Sequence, residues 1–192
     1  MFTGIIEELG YIKSISKKGN IILLNVLADK VLDGTQIGDS ISVNGVCLTV
    51  IKKEYDGLSF EIMPETSKAT NFNSIRISDR VNLERSLKIG DRLSGHFVTG
   101  HIDCMGIIRK KKYLNQNLCF EIAIPVGIIK YCIPKGSIAV DGISLTLMNI
   151  RADTFTVYVI PHTLKNTTLG FKSPSSKVNI ESDILAKKAN LK

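Results

Sequence analysis

The stretch Ser40–Val50 reads SISVNGVCLTV, and it returns at Ser137–Leu147 as SIAVDGISLTL, an offset of 97. Both copies alternate apolar and polar residues about a dipeptide, Asn44-Gly45 in one and Asp141-Gly142 in the other. Asn-Gly and Asp-Gly adopt positive φ at little cost, so each copy reads as two strands joined by a tight turn. One difference is chemical: Cys47 stands in the first copy where Ser144 stands in the second.

Outward from the hairpin the register continues. Thr3-Gly4 recurs as Thr99-Gly100 and Gly10 as Gly106; Pro64, Thr66, Lys68 and Thr70 recur as Pro161, Thr163, Lys165 and Thr167. Val81–Glu84 recurs as Val178–Glu181. The offset is 96 at the start and 97 from the hairpin onward, so a single insertion separates the copies. A register held over about eighty residues marks two homologous domains. The expected division is residues 1–96, 97–182 and a tail 183–192.

Each domain reads as mostly strand. Ile21–Val26, Ser40–Val43, Cys47–Ile51 and Leu58–Ile62 are short, β-branched and separated by Gly, Asp or Asn; so are Leu118–Ile124, Ser137–Val140, Leu145–Ile150 and Thr154–Ile160. About six strands per domain, with turn signals every ten residues or so, predict an all-β protein of two closed antiparallel barrels. Helical turns are expected around Ala28–Asp33, Glu65–Ala69, Gly127–Cys132 and His162–Asn166. Ser182 or Asp183 can cap a C-terminal helix over 183–192, too short to stand alone in water, which must dock on something.

Composition narrows the class. An apolar content of 44% without low-complexity tracts describes a globular chain. The start, MFTGIIEELG, lacks a basic region and a long apolar run, so no secretion signal is expected, and no segment is long enough to span a bilayer. The expected location is cytoplasmic. Cys47, Cys104, Cys119 and Cys132 include no C-x-x-C spacing, which points to free thiols rather than zinc or disulfides. Net charge is +7; residues 1–96 carry twelve basic and twelve acidic side chains, and residues 97–192 carry thirteen and six. The run Arg109–Lys112 accounts for part of that excess, but no aromatic residues interleave with it, so it reads as a solvated hairpin rather than a nucleic-acid site.

Two similar barrels offer two similar pockets, which suits two copies of one ligand or two close analogues. The pockets would differ where matching positions differ: Cys47 against Ser144, Ile5 against His101, Glu65 against His162. Thiol and imidazole are groups that attack carbon or exchange protons near neutral pH. They lie in opposite halves, so one reaction using both would need the first domain to face the second, within a chain or across a subunit boundary. Each has a plainer reading, since a free cysteine in a strand is more often packing than chemistry. The hydroxyls of Thr49, Thr66, Thr146 and Thr163 are ordinary strand or cap residues that could also serve a planar heterocycle.

The opening MFTGI, the VNGVCLTV hairpin, GHFVTGHID at Gly95–Asp103, the VDGISLTL repeat and PHTLKNTTLG at Pro161–Gly170 together resemble riboflavin synthase of the α-chain type. The likeness runs from Met1 to Lys187. It implies two tandem six-stranded Greek-key barrels and a C-terminal helix that builds a homotrimer. It also implies an association with lumazine synthase and a reaction without metal or redox cofactor. The implied reaction is the dismutation of two molecules of 6,7-dimethyl-8-ribityllumazine by four-carbon transfer, giving riboflavin and 5-amino-6-ribitylaminouracil. Donor and acceptor would meet between the first barrel of one subunit and the second barrel of its neighbour.

By the same resemblance Ser40, Cys47, His101 and Asp183 are the catalytic positions, with Phe2 and Asn82 nearby. First-barrel contacts would be Gly4, Ile5, Ile6, Leu48, Thr49, Glu61, Ile62, Met63, Pro64, Glu65 and Thr66. Second-barrel contacts would be Gly100, Ile102, Lys135, Ser144, Leu145, Thr146, Tyr158, Val159, Ile160, Pro161, His162 and Thr163. His101 would move the acidic 7-methyl proton of one ring, and Cys47, Ser40 or a water they hold would add to C7 of the other. The alternative is a non-catalytic lumazine- or flavin-binding antenna protein on the same scaffold. A flavin reductase would need a dinucleotide fold with G-x-G-x-x-G, which this sequence lacks.

Overall fold

Strand alternation and paired Asn-Gly and Asp-Gly turns produce the two barrels. The computed structural model describes residues 1–114 and 117–189. The first barrel consists of β1 (Glu8–Lys18), β2 (Ile21–Leu27), β3 (Ser40–Val43), β4 (Val46–Glu54), β5 (Gly57–Ile62) and β6 (Arg80–Arg85). The second consists of β7 (Cys104–Leu114), β8 (Asn117–Ala123), β9 (Ser137–Val140), β10 (Ile143–Ile150), β11 (Thr154–Val159) and β12 (Lys177–Ser182). Both are closed and antiparallel, in the orders β1-β2-β5-β4-β3-β6 and β7-β8-β11-β10-β9-β12, which are one topology repeated. The turns that open β4 and β10 have the left-handed pair the sequence predicts, with φ of 47° and 81° at Asn44-Gly45 and 46° and 79° at Asp141-Gly142.

Period-two alternation sorts the side chains. In β4, Val46, Leu48 and Val50 point into the core, while Cys47 and Thr49 lie on the outer face. Phe60 and Phe120 are fully buried at the centres of the two cores, worth about 2–3 kcal/mol each. Irregularities in β1, β4, β7 and β10 shift the register by a residue and supply the bend that closure demands.

The helical turns fall near their expected places. A 3-10 turn covers Lys30–Leu32, and α1 (Pro64–Ala69) and α3 (Pro161–Asn166) each start on a proline, whose fixed φ suits a first helical turn. α2 is shorter and earlier than expected, Val126–Ile129. The tail forms α4 (Ile184–Ala189); the rest of the helix expected to 192 lies outside the described residues. α4 docks on the second barrel through Lys187 to Asp103 at 2.7 Å, while the other Asp103 oxygen accepts the Ser182 amide. The basic run belongs to β7, where the Lys111 ammonium donates to the carbonyls of Gly170 and Lys172 and Lys110 lies 3.4 Å from Glu121.

The barrels meet along a seam of reciprocal contacts. Asn82 donates to the Asp141 carbonyl and the Thr168 hydroxyl, and its oxygen accepts from the Thr168 amide. Asn179 does the same toward the Asn44 carbonyl, the Asn71 side chain and the Asn71 amide. Gly45 and Gly142 touch so closely that a Cβ on Gly45 would sit 2.6 Å from the Gly142 nitrogen. Exchange of equivalent partners in both directions is the mark of a twofold axis, here a local one within a single chain.

Candidate functional site

Two slots open where the strand ladders stop. β4 pairs with β5 only from Val50–Phe60 outward, and β10 with β11 only from Leu147–Val157 outward. Beyond those points Cys47–Thr49 part from Glu61–Met63, and Ser144–Thr146 part from Tyr158–Ile160. Alternation along a strand aims the main-chain groups of Thr49 and Thr146 into these gaps, because the Val50 and Leu147 amides donate to the Asp39 and Gly136 carbonyls on the other side. Thr49, Met63, Thr146 and Ile160 are exposed along the slots.

Each slot is completed by a segment from the other half of the sequence. The Cys47 amide donates to the Gly100 carbonyl at 3.0 Å, and the Ser144 amide to the Gly4 carbonyl at 2.8 Å. Ile102 packs against the first core and Ile6 against the second. The expected grouping is therefore corrected: Gly4, Ile5 and Ile6 belong with Ser144, and Gly100, His101 and Ile102 belong with Cys47. The thiol and the His101 segment come together within one chain, with no subunit boundary between them. Glycine is needed at both crossings, since φ is +77° at Gly4 and +84° at Gly100, and a Cβ on Gly100 would fall on that of Cys47.

Two buried glutamates hold the crossings. Glu84 accepts from the Thr3 amide and hydroxyl at 2.7 and 2.6 Å and from the Gly4 amide at 3.0 Å; Glu181 repeats this with Thr99 and Gly100. Burial pushes the Glu84 carboxyl up, against the pull of those three donors. Neither glutamate was among the expected site residues, although their repetition beside the repeated Thr-Gly was the available signal.

The second slot also holds His96, which was not among the expected site residues. His96 Nδ1 lies 2.7 Å from the Ser144 hydroxyl, and its buried Nε2 has no hydrogen-bond partner among the described residues. Desolvation holds this imidazole below its usual range, with the nearby Asp183 carboxylate pulling the other way. Gly95 brings it there: a Cβ at that position would lie 2.9 Å from the Ser144 Cβ. The only hint in the sequence was the histidine opening GHFVTGHID.

The remaining expected residues divide by location. Ser40 stands opposite Thr49 across β3 and β4, and Ser42 opposite Cys47, so Ser40 shares the outer face of the first slot. Asp183 caps α4 through the Leu185 amide and lies toward His96, on the second-slot side. Glu61 lies at the open end of β5, and Glu65, Thr66, Pro161, His162 and Thr163 follow the open ends of β5 and β11. Lys135 sits in the exposed left-handed turn before β9.

Several expected contacts are corrected by burial. Phe2 is wholly buried, bridged to Val98 and packed with Ala139 and Cys47. Asn82 is wholly buried with its amide fully engaged across the seam. The side chains of Leu48, Ile62, Leu145 and Val159 face the cores, leaving only their main chain to a ligand. The high thiol values at Cys104 and Cys132, pushed up by burial to about 12 and about 11, mark packing residues.

A lumazine binding domain matches the chain twice, over residues 3–86 and 99–183. Riboflavin synthase from Bacillus subtilis is 41% identical over 187 residues, 97% of this chain and 87% of that one. The chain belongs to the riboflavin synthase family. Within that family, riboflavin synthase from Actinobacillus pleuropneumoniae is 42% identical over the same shares, and that from Chlamydia muridarum 39% over 97% and 92%. With relatives so named across these organisms, the chain is an enzyme of the riboflavin synthase family. Among solved structures, LumP complexed with riboflavin superposes with a TM-score of 0.87 at 28% identity, covering 95% of this chain and 99% of that one. LumP complexed with 6,7-dimethyl-8-(1'-D-ribityl) lumazine gives 0.84 at 27%, covering 94% and 98%.

Proposed function

We propose that the chain converts two molecules of 6,7-dimethyl-8-ribityllumazine into riboflavin and 5-amino-6-ribitylaminouracil, one lumazine giving up a four-carbon unit to the other. The observation that carries this reading is the pair of equivalent but chemically unequal slots, with Cys47 bound through its amide to the segment that carries His101 in one, and the Ser144 hydroxyl against the His96 imidazole in the other. Residues 1–96 and 97–182 serve as the two lumazine barrels, each lending its leading segment to the other.

In this reading His101 takes the proton from a 7-methyl group, whose carbanion is stabilised by delocalisation into the pteridine. Cys47, Ser40 or a water between them adds to or polarises C7 of the facing ring. Ser144, held by His96, handles the second slot. Holding two like rings in register replaces a bimolecular encounter and contributes much of the rate.

Within one chain the buried layer of Phe2, Val98 and Ala139 stands behind Cys47, and the two slots are related by the local twofold. The proposal therefore places the reaction between the first slot of one subunit and the second slot of its neighbour in a homotrimer. The test is to incubate purified protein with the dimethylribityllumazine and follow riboflavin fluorescence, expecting two lumazines consumed per riboflavin formed. Tight binding without turnover would instead favour an antenna-type role, the reading to which the likeness to LumP lends weight.

A further inference from the structure

A cavity of about 690 Å³ lies in the seam between the barrels and is lined by none of the residues expected at either slot. Its walls are twofold equivalents: Ser78 in the turn before β6 and Arg80 at the start of that strand face Ser175 in the turn before β12 and Lys177 at its start. The two turns have the same shape, with φ of 72° at Ser78 and 71° at Ser175.

Its charges are not balanced from within. Lys172 is taken up by buried Asp141 at 3.3 Å and by the Lys177 carbonyl. Asp79 also lines the cavity, but it turns one oxygen to the Arg76 amide. Arg80 makes no ion pair among the described residues. Its guanidinium carbon instead lies 3.7 Å from the Phe171 ring centre and 5.7 Å from that of Tyr11. Stacking of this kind fixes the plane of the fork while leaving its edge N–H groups free. A planar, pre-oriented guanidinium is suited to bidentate recognition of an oxyanion, with Lys177 supplying a second cation from the facing wall.

We propose that this inter-barrel cavity is a binding site for a small oxyanion, a phosphate monoester or dicarboxylate, gripped by Arg80 and Lys177. The volume lies within the range of small-metabolite sites. The site is independent of the synthase reading, because its residues and the slot residues do not overlap.

Amide NMR of the full chain, titrated with inorganic phosphate and with succinate at constant ionic strength set by chloride, tests this. Saturable shifts centred on Ser78, Ser175 and Ser176 are expected with one or both anions, and the preferred one identifies the class. Arg80→Gln and Lys177→Gln should each weaken binding about tenfold, the loss expected for a hydrogen bond to a charged group. Arg80→Lys, which keeps the charge and loses the fork, should fall between. Riboflavin formation from lumazine, where present, should be unchanged in Lys177→Gln, which alters only an exposed side chain. Shifts that chloride reproduces, that centre on Arg109–Lys112, or that survive the Arg80→Gln/Lys177→Gln double variant would overturn the proposal.

Discussion

Asp141 and Lys172 occupy positions where the first barrel has Asn44 and Ile75. Asp141 accepts from the Asn179 amide just as Asn44 accepts from that of Asn82, so an amide oxygen can do this work in either barrel. Burial pushes the Asp141 carboxyl up, while Lys172 and its hydrogen bonds pull it down. With its folded value raised, the group contributes stability below the ordinary carboxyl range, and that contribution is lost as pH rises through the folded value. Lys172→Ile should therefore cost about 2 kcal/mol at neutral pH, discounted for partial exposure, and less in acid. Asp141→Asn, and Asp141→Asn with Lys172→Ile, should each stay within about 1 kcal/mol of the parent. Urea unfolding at two pH values checks this; a double variant as weak as Lys172→Ile would show that packing, not charge, is at stake. At the first slot, Cys47→Ser and His101→Gln should lower turnover at least ~100-fold while changing lumazine affinity less than ~10-fold. Near-normal turnover in both would remove their assigned chemistry.

The crossing segments are the elements on which the slots depend. Gly100→Ala combines a strained positive φ with a Cβ placed on Cys47, at a cost of about 3 kcal/mol, and Gly4→Ala meets Ser144 at 2.7 Å in the same way. Each change should weaken lumazine binding at one slot only, Gly100→Ala at the first and Gly4→Ala at the second, as read by a two-site titration. Equal loss at both slots would mean that the crossings hold the seam rather than the sites. The hairpins were legible in the sequence because Asn-Gly and Asp-Gly have so few alternatives, and α1 and α3 because a proline fixes their first turn. Strand alternation also carried the inward aim of Leu48 and Leu145, which the resemblance alone concealed by listing whole stretches as contacts. The crossing was not legible: a repeat states that Gly4 and Gly100 are equivalent but not which barrel each one enters. For His96 the sequence offered one histidine among three, and only the fold brings it to Ser144.

At the scale of the whole molecule, a local twofold gives each chain two slots but does not by itself bring their ligands together. In the proposed reaction a neighbouring subunit does so, and α4 offers the handle. Its Ala186 is buried and its Lys187 is fixed on Asp103, whereas Leu185 is 63% exposed beside Ile133 and Tyr131, which line a shallow groove with it. A leucine held outward on a docked helix is apolar surface suited to a neighbouring subunit. Leu185→Asp leaves the intrachain anchors of α4 in place and sets a charge where that contact would form. If the proposed trimer forms through this face, sedimentation should then show it shifted to monomer, with lumazine still bound to each chain and riboflavin formation lost. The combination is what matters, because a folding defect would remove binding as well. Full activity in a monomer would mean that one chain holds both rings face to face, which would end the case for a site shared between subunits.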